Sequence, residues 1–182
     1  MNDEQKEDVL QLYIVRHAAA EDPSPGVPDA HRALTQKGRE RFRKTARKLG
    51  TKVRAIELIL TSPLVRAVQT AEILAGEVGH ESLRVLPELG GAHPAEAVLE
   101  AVSRIRGEHR SIALVGHEPQ VSDLVIRSLR LEPDAASAIH FRKGAVVLLE
   151  TSGSSSSPHA QARWWMRAGE VHPGLPEMKG DD

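Results

Sequence analysis

The chain of 182 residues contains no cysteine. That absence excludes disulfide frameworks, thiolate zinc sites, iron–sulfur clusters and cysteine nucleophiles. It also lacks an excess of either charge: 24 Lys and Arg against 25 Asp and Glu give a net charge of -1. Such a balance gives no global attraction to nucleic acid or to an anionic membrane, so neither is expected as a partner. Long apolar runs are missing too. The longest, such as Ala145 to Leu149, are far too short to span a bilayer. Met1 to Asp8 is polar and acidic, without the apolar core of a signal peptide, so a soluble cytoplasmic protein is expected. A chain of this length can bury about 70% of its unfolded surface in one core, and it needs no metal or disulfide to do so.

What is present is an alternation of short apolar runs and helical stripes. Leu10 to Val15 is apolar and bounded by Arg16 and His17, which predicts a buried strand. Residues 18–34 hold three prolines and a glycine between Asp22 and Pro28 and form a long irregular stretch of the kind that often carries function. Thr35 is a helix N-cap candidate, followed by Phe42, Ala46, Leu49 and Val53 at helical spacing, with Gly50 near the end. Ile56 to Leu60 predicts a second strand, Ser62–Pro63 a helix start, and Leu83 to Leu86 a third, short strand. Pro94 to Ile105 predicts a helix, Ile112 to Val115 a fourth strand, and Pro119 to Leu129 another helix. Ala145 to Glu150 and Gln161 to Arg167 flank a Ser/Gly-rich loop and read as antiparallel strands. The adjoining Trp164 and Trp165 should then point to opposite faces. This order predicts a three-layer α/β/α sandwich with a mostly parallel sheet and antiparallel C-terminal strands. A single domain is expected over residues 1–168, with 1–9 and 169–182 as loose tails.

In such folds ligands bind beyond the carboxyl ends of the strands. Arg16 and His17 follow the first strand there. Thr61, Ser62 and, one turn later, Arg66 follow the second. Glu88 follows the third, and Gly116, His117 and Glu118 follow the fourth. Two arginines and two histidines on one rim suit a phosphoryl group, because guanidinium forks match phosphate oxygens and a neutral imidazole can attack phosphorus. The bland reading of each residue alone is a structural histidine or a surface arginine. The convergence of four is what points to chemistry.

Three blocks resemble one known family. Tyr13-Ile14-Val15-Arg16-His17-Ala18 is similar to the Arg-His-Gly signature of the histidine phosphatase superfamily, which includes phosphoglycerate mutases. Thr61-Ser62-Pro63-Leu64-Val65-Arg66-Ala67-Val68-Gln69-Thr70-Ala71 resembles its second block, and Val115-Gly116-His117-Glu118-Pro119 its third. The blocks fall in family order over about residues 10–167, and the short chain most resembles the SixA-type phosphohistidine phosphatases. The resemblance implies a phosphoglycerate mutase-like fold and a metal-independent phosphatase without cofactor. It implies His17 as the nucleophile that becomes phosphorylated, Arg16 and Arg66 as phosphate clamps, and His117 as a phosphate-binding and catalytic partner. Ala18 departs from the usual glycine.

The general acid is open between Glu88, near the position of a catalytic glutamate in larger relatives, Glu21 on the loop after His17, and neither. A phosphohistidine substrate needs less help, since imidazole leaves far more readily than an alkoxide. Only residues 89–111 separate Glu88 from the fourth strand, too few to wall a deep pocket. The expected substrate is therefore a phosphorylated protein such as a histidine phosphotransfer domain. A small phosphate ester or nucleotide is the alternative, and a non-catalytic phosphate-binding module the third possibility. Lys37 to Arg54 carries nine basic residues and one acidic around its apolar stripe. This is expected as a solvated helix face, or else as a docking surface for an acidic protein.

Overall fold

The computed structural model describes residues 9–53, 55–132, 139–152 and 159–176. Seven strands form one sheet: β1 (Leu10–Arg16), β2 (Ile56–Thr61), β3 (His80–Val85), β4 (Ser111–Gly116), β5 (Val146–Ser152), β6 (His159–Arg167) and β7 (Glu170–Pro173). Their order is β3-β2-β4-β1-β5-β6-β7. β3, β2, β4 and β1 run parallel, while β5, β6 and β7 are antiparallel to their neighbours. Four helices, α1 (Gln36–Gly50), α2 (Val65–Glu77), α3 (Ala95–Ile105) and α4 (Gln120–Leu129), cover both faces.

Strand alternation divides the core into two layers. Leu12 and Ile14 of β1 join Leu58, Ile112 and Leu114 against Val98 of α3 and Leu124 of α4. Tyr13 and Val15 face the other way, with Ile59, Ala113 and Val115, against Phe42 of α1 and Leu74 of α2. A sheet buried on both faces explains why its parallel strands read as unbroken apolar runs. Trp164 and Trp165 do point to opposite faces. Trp164 lies 6.3 Å from the Tyr13 ring, and Trp165 stacks on His172 at 4.3 Å. Both indoles are half-buried.

Several sequence expectations need correction. Residues 170–173, expected in a loose tail, pair with β6, and the His172 ring on Trp165 helps to hold them there. Residues 1–8, 153–158 and 177–182 lie outside the described residues, so most of the two expected tails and the Ser/Gly-rich loop do as well. Ser62 does not cap α2. That helix starts at Val65 after Leu64, without a side-chain cap. Gly50 closes α1 for a different reason than a left-handed turn. The residue after it keeps helical geometry, and a Cβ at Gly50 would lie 2.3 Å from the Glu77 carbonyl oxygen, where α1 packs on α2.

Candidate active site

The strand ends bring the predicted residues together. His17 follows β1 and His117 follows β4, and their rings lie 5.0 Å apart, centre to centre. The backbone fixes His17 from both sides. Its N–H donates to the Gly116 carbonyl at 3.0 Å, and its carbonyl accepts from Gly144 N–H at 3.0 Å. The His17 Nδ1 stands 2.7 Å from the Ala18 carbonyl oxygen. A carbonyl only accepts, so Nδ1 carries the proton and Nε2 keeps its lone pair. Burial pushes the His17 imidazole down to about 3; the Ala18 hydrogen bond opposes this, while His117, Arg66 and Arg16 reinforce it. Burial, then Arg66, likewise pushes His117 down to about 4. Both rings are neutral near pH 7.

His117 is set by Ser62. Its Nε2 lies 2.7 Å from Ser62 Oγ, which also accepts from Leu64 N–H at 3.2 Å. Ser62 therefore serves the third motif, which is why it is lost as a helix cap. When the Ser62 hydroxyl donates to Nε2, the imidazole proton sits on Nδ1; when Nε2–H donates to Oγ, Nδ1 holds the lone pair. That atom is buried and has no partner among the described residues. The Nε atoms of Arg16 and Arg66 share this condition. Buried polar atoms are normally satisfied. Here three unsatisfied ones belong to residues whose charges or dipoles act on His17.

α2 explains its own motif. Arg66 points into the site, 7% exposed. Thr70, one turn on, donates its hydroxyl to the Arg66 carbonyl at 2.6 Å and accepts from Ala18 N–H at 3.1 Å. Gln69 Oε1 accepts from Leu34 N–H at 2.8 Å and from Arg39 Nη2 at 3.1 Å. One helical turn thus holds the anion ligand and both ends of the loop 18–34. The same neck is closed by an Ala20–Leu34 bridge and by Thr35 N–H donating to the Ala19 carbonyl at 3.0 Å. Thr35 caps α1 as expected, accepting from Gly38 N–H at 2.9 Å. A Cβ at Gly38 would fall 2.1 Å from the Ala19 oxygen, so that close approach requires glycine. Ala18 is tolerated in place of glycine because it is not among the described residues with left-handed backbone.

Asp29 is a site residue that sequence reasoning missed. It accepts from Arg66 Nη2 at 3.0 Å through its side chain, while its carbonyl accepts from Nη1 at 2.8 Å. Arg32 binds the same carboxylate at 2.6 Å. Hydrogen bonding from Arg32, then from Arg66, holds Asp29 below the usual carboxylate range, so it stays ionised and does not suit proton donation. Glu118 was named only as part of a motif. Its Oε1 accepts from Phe141 N–H at 2.7 Å and from Ser122 Oγ at 2.9 Å. The Phe141 carbonyl in turn accepts from Arg16 Nη1. Glu118 therefore aims Arg16 through the backbone of a single residue, Phe141.

The two candidate acids form no hydrogen bond to either ring among the described residues. Glu88 lies on a short 3-10 turn, Pro87–Gly90, whose backbone is held by Gln120 Nε2 donating to the Glu88 carbonyl at 2.8 Å. Its Oε2 is buried without a hydrogen-bond partner among the described residues. Glu21 is exposed, with only its backbone engaged in the loop neck. A signal for the missed residues was available in part: Gln69 and Thr70 are polar at three and four residues from Arg66 on one helix. Asp29 had none, because its role depends on how an irregular loop folds back.

Residues 12–93 match the histidine phosphatase superfamily (branch 1). An uncharacterized protein of Picosynechococcus sp. is 36% identical over 115 residues, covering 63% of this chain and 70% of its own. The protein histidine phosphatase SixA in complex with tungstate superposes with a TM-score of 0.74 at 28% identity, over 87% of this chain and 97% of that one. SixA from Agrobacterium tumefaciens gives 0.70 at 23% identity, over 78% and 91%. The chain belongs to the histidine phosphatase superfamily and is a phosphatase. Within that superfamily its fold is SixA-like, a phosphoglycerate mutase-like α/β sheet with antiparallel C-terminal strands. Among the described residues no helix is long and apolar enough to cross a membrane.

Proposed function

We propose that the protein is a phosphohistidine phosphatase that removes the phosphoryl group from a phosphorylated histidine on a protein. The observation that carries this reading is the set of three unpartnered buried nitrogens, Arg16 Nε, Arg66 Nε and His117 Nδ1, beside a histidine whose Nε2 lone pair is free. His17 Nε2 attacks phosphorus in line. The P–N bond to the substrate imidazole breaks, its electron pair stays on that nitrogen, and the leaving imidazole takes up a proton from solvent. Arg16, Arg66 and the His117 Nδ1–H meet the three equatorial oxygens, where charge concentrates in the transition state. Water then attacks phospho-His17, freeing phosphate and restoring the neutral imidazole.

The preference for a P–N bond rests on the surroundings of His17 and His117. No carboxylate hydrogen-bonds to either ring among the described residues. Asp29, near Arg66, is held ionised. An imidazole leaving group tolerates that arrangement, whereas an alkoxide does not. A cytoplasmic histidine phosphotransfer domain is the substrate class that fits.

A second reading has one observation in its favour. The Glu88 Oε2 is buried without a partner on a turn braced by Gln120, which would suit a general acid for small phosphate esters. Phosphate release from a phosphorylated histidine phosphotransfer protein, with para-nitrophenyl phosphate in parallel, tests both. Fast P–N hydrolysis, lost in His17→Ala and kept in Glu88→Gln, is the expected result. Dominant ester hydrolysis that collapses in Glu88→Gln would replace the first reading with the second.

A further inference from the structure

Beside the phosphoryl site lies a cavity of about 380 Å³ to which the chemistry above gives no role. Its walls come from α1, from residues 143–144 and from the β6–β7 turn, and it shares the Ala18–Ala19 backbone with the catalytic loop. Three cations line it, Arg41, Lys143 and Arg167, and no acidic residue does. None of the three forms an ion pair among the described residues; Arg167 Nε reaches only the Lys143 carbonyl, at 3.5 Å. Thr45 also lines the cavity. It is 1% exposed, and its hydroxyl has no partner among the described residues, although a helical threonine can ordinarily bond back to its own helix. Phe42 is also among the lining residues.

The cluster is electrostatically unfavourable as it stands. Burial, then Arg142 and Arg41, lowers the proton affinity of Arg167. Arg167 in turn acts on Arg16, whose proton affinity burial has already lowered. Crowded cations beside an unpartnered hydroxyl are completed by an anion. The wall also has an apolar part, suited to the methylenes of a side chain rather than to a bare ion. The volume accepts one side chain with its bound water.

We propose that this cavity docks an acidic side chain of the phosphoprotein substrate, holding the partner so that its phosphohistidine enters beside His17. The inference rests on the phosphoprotein reading above and adds a second, phosphate-independent contact. It explains why α1 is basic on its exposed side: Arg41 comes from the run of cations over 37–54.

The test compares wild type with Arg41→Gln/Lys143→Gln and with the single Arg41→Glu, whose position is exposed. Steady-state kinetics are measured on a phosphorylated histidine phosphotransfer domain and on phosphoramidate, a minimal P–N substrate. KM for the protein should rise about tenfold, the worth of two partly exposed charge contacts, with kcat unchanged. Values of kcat/KM for phosphoramidate should move less than about twofold. An unchanged protein KM would overturn the proposal, and so would equal losses on both substrates. A binding arm separates this inference from the assigned reaction. A Glu-rich hexapeptide, with its Gln counterpart as control, is titrated into ¹⁵N-labelled protein. Shifts at the Ala19, Gly38 and Gly144 amides, absent with the Gln peptide and in Arg41→Glu, support the pocket even if the phosphotransfer domain proves not to be a substrate. No shift at millimolar peptide would overturn the pocket even if P–N hydrolysis is fast.

Discussion

Lowering the pH should destabilise the fold through the two active-site histidines, by an amount that follows from their burial. In the unfolded chain an imidazole protonates near 6.5, whereas His17 is pushed down to about 3 and His117 to about 4. Between those limits the unfolded chain binds protons that the folded one refuses. Stability is fully present above about pH 6.5 and falls as the pH drops toward 3 to 4. At 1.36 kcal/mol per pH unit, each histidine withdraws about 2 kcal/mol by about pH 5. Together they remove about 4 kcal/mol, a large part of the reserve of a typical domain. The assay is urea unfolding at a series of pH values from about 7.5 to 5, on wild type, His17→Gln and His117→Gln. Carboxylates and the other histidines contribute to every protein and cancel in the difference. Each variant should lose about 2 kcal/mol less than wild type over that range. Phosphoenzyme formation by wild type should meanwhile hold its rate down to about pH 5, because the attacking imidazole is already neutral. Parallel pH dependences in wild type and His17→Gln would refute the reasoning.

Three further outcomes follow from the site's supports. Glu118→Ala should lower kcat/KM about tenfold by freeing the Phe141 backbone that aims Arg16, while Glu118→Gln, whose Oε1 still accepts, restores most of it; equal losses in both variants would contradict a positioning role. Asp29→Asn should tighten product inhibition by phosphate about twofold to fivefold, since one anion leaves the Arg66 guanidinium; weaker inhibition would show that Asp29 chiefly orients that arginine. Gly38→Ala should cost about 1–3 kcal/mol in urea unfolding and raise KM as well, because the added methyl meets the Ala19 oxygen at 2.1 Å; an unchanged unfolding midpoint would mean the neck relaxes freely.

Strand and helix positions were legible because the sheet is buried on both faces. Leu10 to Val15 and Ile112 to Val115 read as apolar runs since the strands they lie in are covered on both faces. The rim was legible for a related reason: parallel strands place their carboxyl ends together, so Arg16, His17 and His117 had to gather once the order was known. Sequence reasoning failed where a side chain serves a distant element. Ser62 carries the local signature of a cap, but the tertiary bond to His117 takes it. β7 looked like a tail because short edge strands with proline and glycine carry little pattern; its pairing and the stack of His172 on Trp165 are long-range facts. Asp29 was hidden in a loop whose return path depends on Gln69, on another element altogether.

The central place of β1 has a consequence for how the molecule is made. Gln11 pairs with Ser111 on one side, and Leu10 with Thr151 on the other. At about 5–20 residues per second, the 100 positions from Gln11 to Ser111 occupy a ribosome for about 5–20 s. Throughout that time the strand bearing the nucleophile has neither neighbour. Its apolar residues wait unpaired in the growing chain, a segment for chaperones to shield. The strand that begins the active site thus finds its seat late, and the catalytic pocket closes only after β4 and β5 have been made.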